Sequence, residues 1–332
     1  MSLKWIARMK NKQWIGELRE LFFSPKLEEV YVNEAISLKY DYIPTKLFKY
    51  REFSKYSLDN LKNNTLWCAS ANGFNDPYDT SIHFEYSKEI LERQLVHSIE
   101  YQNKNGQFKF LTEAEINELK QSVEPTRYLA HLAHNKIEGK FSEEQFFQFL
   151  NLSTEKNVEQ MVTEFNRVLK AGYKVCSLSE REDSMLMWSH YAKEHSGFAM
   201  EYDFSELPNE NILTRMLWPV IYDDKLFDAS EFFEHGLDGG LSSNMLGVIA
   251  SIHKALDWAY EQEWRLIMLS SPSEPSFNQT SPKVKAIYIG ALAEPDSEKE
   301  LIEIGKGKGI PVYKMELSHR KFQMDFKAVY EP

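Results

Sequence analysis

Cysteine is scarce in this chain: Cys68 and Cys176 are the two in 332 residues. Each sits in a short apolar, strand-like segment with nothing nearby at metal-ligand spacing. That excludes a disulfide framework and a cysteine-built zinc site, and leaves two buried, reduced thiols. Long apolar runs are missing as well. No stretch of about 18 apolar residues occurs, so no membrane-spanning helix and no membrane partner is expected. The opening segment MSLKWIARMKNKQWIGELREL is charged and amphipathic, without the apolar core and cleavage site of a secretion signal, and the expected location is cytoplasmic. Positive charge is in deficit, with 39 Lys and Arg against 50 Asp and Glu and a net charge of −11. Such a surface repels a phosphate backbone, so duplex nucleic acid is not an expected partner. The basic clusters Lys306/Lys308 and His319/Arg320/Lys321 are short and read as solvated surface. Internal repeats and low-complexity tracts are absent.

What the chain does have is apolar and aromatic content, 42% and 14% of residues, enough for one large core with an insertion. Residues 1–43 read as an N-terminal helical extension of two amphipathic helices, WIARMKNKQWIGELRELFF and PKLEEVYVNEAISLK. After Pro44 the period changes. KLFKYREF alternates like a strand, SLDNLKNN is a short helix with Ser57 as its expected cap, and TLWCASA is strand-like again. The turn-rich ANGFNDPYD follows. Residues 88–171 are charged and helical in period, an all-helical insertion with a surface suited to a protein partner. Strand signals return in YKVCSLSE, GFAMEYDF, WPVIYDD, EWRLIMLS, VKAIYIGA and IPVYKMEL, with one long helix expected over SSNMLGVIASIHKALDWAYE. The expected fold is α+β, a mixed, mainly antiparallel sheet core (44–87 and 172–332) with flanking helices.

Three stretches carry candidate chemistry. In SEREDSMLMWSHYAKEHSG, Asp183 or Ser184 is placed to cap a helix and Gly197 to end it, while Ser184, Trp188, Tyr191 and His195 share a stripe. His190 and His195 are five residues apart, about 140° around a helix, so they do not converge on a metal. In YEQEWRL, Glu261, Glu263 and Arg265 fall on one face of a strand. In FNDPYD, Asn75 and Asp76 precede Pro77. Each has a plain structural explanation: a packed helix, an exposed Glu–Arg pair, and an Asx turn.

Taken together, LFKYR (47–51), FNDPYD (74–79), CSLSEREDSMLMWSHYAKEHSGF (176–198), EQEWRL (261–266) and AIYIGA (286–291) closely resemble the bacterial domain of unknown function 2971, over about residues 40–320. The resemblance implies a bacterial protein linked to phage defence or toxin systems. At the level of fold the chain also looks like the ADP-ribosyltransferase plan, which implies NAD as substrate and no metal. On that resemblance Lys49, Tyr50 and Arg51 form the first-strand anchor, with Arg51 on the pyrophosphate. Ser177, Ser179, Trp188 and Tyr191 line the pocket, with Tyr191 or Trp188 stacking the nicotinamide, and Asn75, Asp76 and Arg265 complete its polar rim. Glu263 would stabilise the oxocarbenium-like ribose, with Glu261 as second candidate and His190 beside them; removing the Glu263 charge should cut NAD cleavage by orders of magnitude. Two other classes remain: a metal-dependent nuclease or hydrolase using Asp76, Asp79, His190 and Glu263, and a non-catalytic sensor of a nucleotide or other small ligand.

Overall fold

A computed structural model describes residues 3–107, 110–137, 141–239 and 243–332, with side chains from residue 13 onward. The chain runs α1 (Leu3–Phe22), α2 (Val32–Tyr40), β1 (Leu47–Arg51), α3 (Lys55–Asn63), β2 (Thr65–Ser70) and β3 (Ile82–His83). Four consecutive helices follow, α4 (Lys88–Lys104), α5 (Glu113–Gln121), α6 (Pro125–Lys136) and α7 (Glu143–Gly172). Next come β4 (Tyr173–Ser179), α8 (Met185–Tyr191), β5 (Phe198–Tyr202), α9 (Ile212–Met216), β6 (Leu217–Pro219), β7 (Ile221–Asp223), β8 (Phe227–Asp228) and α10 (Ser230–Leu237). The last stretch holds α11 (Leu246–Ile252), β9 (His253–Ala255), a 3-10 segment (Leu256–Glu261), β10 (Glu263–Leu269), β11 (Phe277–Thr280), β12 (Ala286–Ile289), α12 (Pro295–Lys308), β13 (Val312–Leu317) and β14 (Met324–Tyr330).

The main sheet has the order β11-β2-β4-β1-β5-β12-β13-β14, with β10 pairing β4 and β6. All of these pairs are antiparallel except β12–β13. The α+β class, the mainly antiparallel sheet and the flanking helices are as expected. β4 is the hub. It pairs along its whole length with β10 on one edge, while its other edge is shared by β2 at Lys174–Val175 and β1 at Ser179. Between those two short pairings lies a gap, and Lys49 Nζ fills it by donating to Ser177 O at 2.7 Å.

Strand alternation sorts the residues onto two faces. One face buries Leu47, Cys176, Leu178, Phe198, Met200, Trp264 and Leu266 together with Trp14, Leu18 and Leu301 from α1 and α12. The other carries Phe48, Tyr50, Ala199 and Tyr288 against Met187 and Trp188 of α8. Both cysteines are buried and free, as expected. α4, α5 and α6 share an apolar cluster of Ile99, Leu111, Ile116, Leu119 and Leu129, and Leu169 of α7 packs on Ile82, Phe84, Ala229 and Ala250.

Several local expectations need correction. Ser54, not Ser57, caps α3, accepting from the Ser57 N–H. The second N-terminal segment is a 3-10 turn at Leu27–Glu29 before α2 begins at Val32. WPVIYDD divides into β6 and β7, and β11 and β14 are strands without a strong alternating signal. The long helix is broken. Its middle, His253–Ala255, runs parallel to Ile221–Asp223, which supplies backbone partners from 32 residues upstream; β-branched Val248, Ile249 and Ile252 lower the helical preference just before the break. Gly197 does not end α8 by a left-handed cap. Lys193, Glu194 and His195 take positive φ (46°, 53° and 67°), and Gly197 is needed because a Cβ there would stand 2.1 Å from Arg51 O.

Candidate functional site

The site grows from the turn at residues 75–80. Asp76 Oδ1 accepts from the Tyr78 N–H at 2.8 Å, the Asx turn that its sequence allowed. Lys170 of α7 donates to Pro77 O at 2.6 Å and pins the turn. This presents Asp79 to the face of β10 that bears Glu263 and Arg265. Arg265 Nη1 and Nη2 each donate to one Asp79 oxygen at 2.7 Å. Its Nε and Nη2 reach Glu263 at 2.8 and 3.1 Å, and Nη1 also reaches Ser251 O at 2.6 Å. Those five contacts match the five N–H groups of a guanidinium, so the fork is saturated. Phe74 lies beneath it, 5.7 Å from ring centroid to Cζ.

Lys254 extends the array. Its ammonium donates to Glu263 Oε2 at 2.9 Å and to Glu261 Oε2 at 2.6 Å, with the Trp258 ring 5.0 Å away. Tyr191 OH donates to Glu261 Oε1 at 2.7 Å, and Asn75 acts against the upward shift of the Tyr191 phenol. Ser179 Oγ donates to Glu261 O at 2.5 Å, Tyr222 OH accepts from the Glu263 N–H at 2.9 Å, and the Ser177 side chain supports the Glu263 carboxylate. Exposure is 1% for Arg265, 3% for Asp79 and Glu261, 4% for Glu263 and 7% for Lys254. A single stripe of carboxylate, guanidinium, carboxylate, ammonium and carboxylate is therefore closed off from water. The expected exposed Glu–Arg pair is instead a buried one, because α11 and the 75–80 turn cover that face.

The two carboxylates sharing Lys254 diverge in acidity. Burial pushes the Glu263 carboxyl up, but Arg265 and then Lys254 outweigh it and hold the group well below the usual range. Burial pushes Glu261 up too, and the Glu263 charge adds to it against Lys254 and Tyr191, so its net displacement is upward. The Tyr191 phenol is raised by burial and by Glu261, and Tyr260 reaches about 12 for the same two reasons. Tyr191, Trp258 and Tyr260 are half-buried, whereas Glu261 is buried. Beside Lys254, buried His253 faces Asp223 at 3.6 Å, and burial lowers its pKa to about 4.

Of the residues chosen from sequence, Glu261, Glu263, Arg265, Tyr191, Asn75, Ser177 and Ser179 come together. Asp76 is close by but occupied with its turn. Arg51 does not join them. Phe48 pairs with Ser179, and Ser179 with Glu263, so those three share a face, while Lys49 and Arg51 project from the opposite side of β1. Lys49 ends on the Ser177 carbonyl, where burial lowers its pKa. Trp188 and Tyr50 are core residues: Trp188 is fully buried, donates from Nε1 to Glu182 O at 2.7 Å and meets the Tyr50 ring edge-on at 5.1 Å, while the Tyr50 hydroxyl donates to Arg181 O. Neither offers a face for stacking. His190 is exposed on the turn of α8 beside Tyr191 and outside the array. Lys254 and the Trp258–Tyr260 pair went unnoticed because the segment reads as the middle of a helix. A lysine inside an apolar run was the available signal.

Residues 187–266 match the family model described as a protein of unknown function (DUF2971). The match is narrower than the 40–320 span suggested by the motifs. It reaches from α8 into β10, taking in Tyr191, Lys254, Glu261, Glu263 and Arg265 but not Asp79. No curated protein and no solved structure matches the chain.

Proposed function

We propose that this protein cleaves the N-glycosidic bond of NAD, as an ADP-ribosyltransferase-like enzyme, with Glu261 rather than Glu263 at the reacting centre. The observation behind the reading is the split between the two carboxylates on Lys254: Glu263 is saturated by Arg265 and Lys254, whereas one oxygen of Glu261 is held by the hydroxyl of half-buried Tyr191. Environments that drive paired carboxyls apart are a mark of divided roles. A ribose hydroxyl replacing Tyr191 OH on Glu261 Oε1 would accept the same geometry. The bond from C1′ to the nicotinamide nitrogen then breaks with its electron pair going to the ring, and Glu261 stabilises the oxocarbenium-like sugar until water or an acceptor nucleophile adds to C1′ and gives up a proton. Tyr191, Tyr260 and Trp258 supply aromatic surface for the leaving ring. The pyrophosphate role expected of Arg51 is dropped, since that side chain serves the other face.

The metal-dependent hydrolase is the weaker alternative: both Asp79 oxygens and both Glu263 oxygens already accept from cations, and Asp76 closes its turn. Roles in phage defence or as a toxin effector extend the same proposal to the cell. The test is nicotinamide release from NAD by purified full-length chain, compared with Glu261→Gln. A loss of about 10²–10³ in kcat with unchanged folding is expected, the scale for removing one preorganised electrostatic contact. Undiminished release in Glu261→Gln, or none from well-folded wild-type chain, rejects the reading.

A further inference from the structure

β14 ends the path of the main sheet, paired with β13 on one edge and, among the described residues, with no strand on the other. Every residue from Asp325 to Ala328 is exposed, so nothing covers that free edge. The tip of the hairpin fixes which backbone groups face it. There the Ser318 N–H donates to Gln323 O at 3.0 Å. Antiparallel pairs alternate between bonded and non-bonded, so Gln323, Asp325 and Lys327 turn their backbone groups inward to β13, while Met324, Phe326 and Ala328 turn theirs outward. A row of unpaired N–H and C=O groups is a template for another strand.

The charges of β14 are poorly matched to β13. Lys327 stands opposite Lys314 and Asp325 opposite Glu316, like against like. Lys314 turns away to Glu298 at 2.8 Å, and Lys327 reaches Glu316 across the diagonal. At 61% exposure the Lys327 ammonium has donors left for a second carboxylate. Asp325 accepts from the Gln323 amide through Oδ1 at 2.8 Å. Apolar surface accompanies these charges. Phe326 lies against the Tyr288 and Tyr313 rings at 5.3 and 5.2 Å, yet is 45% exposed, and Phe322 at the hairpin tip is 97% exposed.

We propose that the free edge of β14 pairs antiparallel with the same edge of a second copy of this chain, with the twofold axis passing through Phe326. Bonded pairs must join outward-facing residues, so the strands can slide past each other only between a few registers, and charge selects among them. Sliding one step either way sets Asp325 against Asp325, or Lys327 against Lys327, at the closest side-chain approach. With Phe326 opposite Phe326, the two rings lie side by side, Met324 opposes Ala328 of the other copy, and Asp325 meets Lys327 on both sides of the axis. The strand is thus self-complementary in charge in that register, and the contact is isologous, so assembly closes at two copies. It does not depend on the activity proposed for Glu261.

Sedimentation equilibrium of the full chain tests this, with a concentration-dependent dimer expected. Asp325→Lys and Lys327→Asp should each weaken dimerisation at least about tenfold, because each sets like charges opposite one another on both sides of the axis. Mixing the two variants should restore a dimer containing one copy of each, since each supplies the charge the other lacks; that recovery also shows both variants to be folded. In wild-type chain, the Met324, Phe326 and Ala328 amides should exchange more slowly as concentration rises, while those of Asp325 and Lys327, already bonded to β13, stay unchanged. A dimer indifferent to both substitutions, or one without that alternating protection, overturns the proposal. A monomer at every concentration also overturns it, and leaves the edge to a strand of another protein.

Discussion

Arg265, at 1% side-chain exposure, holds Asp79 and Glu263 at 3% each, whereas Arg167 and Glu164 on α7 pair at 62% and 59%. Lys120 of α5 and Glu100 of α4, at 44% and 24%, resemble the second case. Beneath the sheet a charge is tolerated only because every donor has an acceptor, and removal of one member strands the others in a medium that solvates them poorly. On the helices water replaces a lost partner at once. Identical residue types thus act as a rigid frame in one region and as solubilising surface in the other.

The contrast is most directly broken at Arg265. Arg265→Met should lower stability by about 3–5 kcal/mol by leaving Asp79 and Glu263 unpaired, read as a urea midpoint shift. If that shift is no larger than for Arg167→Ala, the two regions do not differ as described.

The next effect is in pH. The neutral form of His253 is favoured by burial, with the nearby Arg19 charge acting in the same direction against Asp223, so its folded pKa of about 4 lies below the ordinary 6.5. A depressed folded value means stability is complete above about pH 6.5 and is lost as pH falls toward 4, by about 3 kcal/mol at most. His253→Gln should flatten that segment of the stability curve. An unchanged slope would show that the histidine is not held neutral. Glu263, with its depressed carboxyl, adds a loss at still lower pH, as its charge disappears below the ordinary glutamate range.

Smaller effects belong to helices α5 and α7. Thr112 and Glu115 form a reciprocal capping box at the start of α5, so Thr112→Ala should cost about 1 kcal/mol, visible as a lower melting temperature. Arg167→Ala should leave that temperature unchanged within error. A large effect of the latter would mean that α7 relies on its surface charges after all.

Much of the fold was legible because it depends on local periodicity. Alternation in LFKYR, YKVCSLS and EWRLIML announced β1, β4 and β10, and three- and four-residue apolar spacing announced α4–α7. Of the site, Glu261, Glu263 and Tyr191 were visible from their types and positions. Arg51 was misassigned, because side alternation along β1 says which residues share a face but not which face of the sheet it is. That depends on Phe48 opposing Ser179, a pairing across 131 positions. Lys254 was overlooked for a related reason: the helix signal around it was overridden by backbone pairing of His253–Ala255 with β7.

The sequence by itself determined the run of helices α4–α7, the strand-forming segments, the free buried cysteines and the acidic balance of charge, since each follows from composition or from periods of 2 and 3.6 within one segment. Only the tertiary structure decided that Asp79, Lys254, Glu261, Glu263 and Arg265 form one buried array with Tyr191 at its outer end. Burying such charges is unfavourable for any of them alone, and becomes tolerable only when strand register and a turn from 186 residues away bring all the partners together at once.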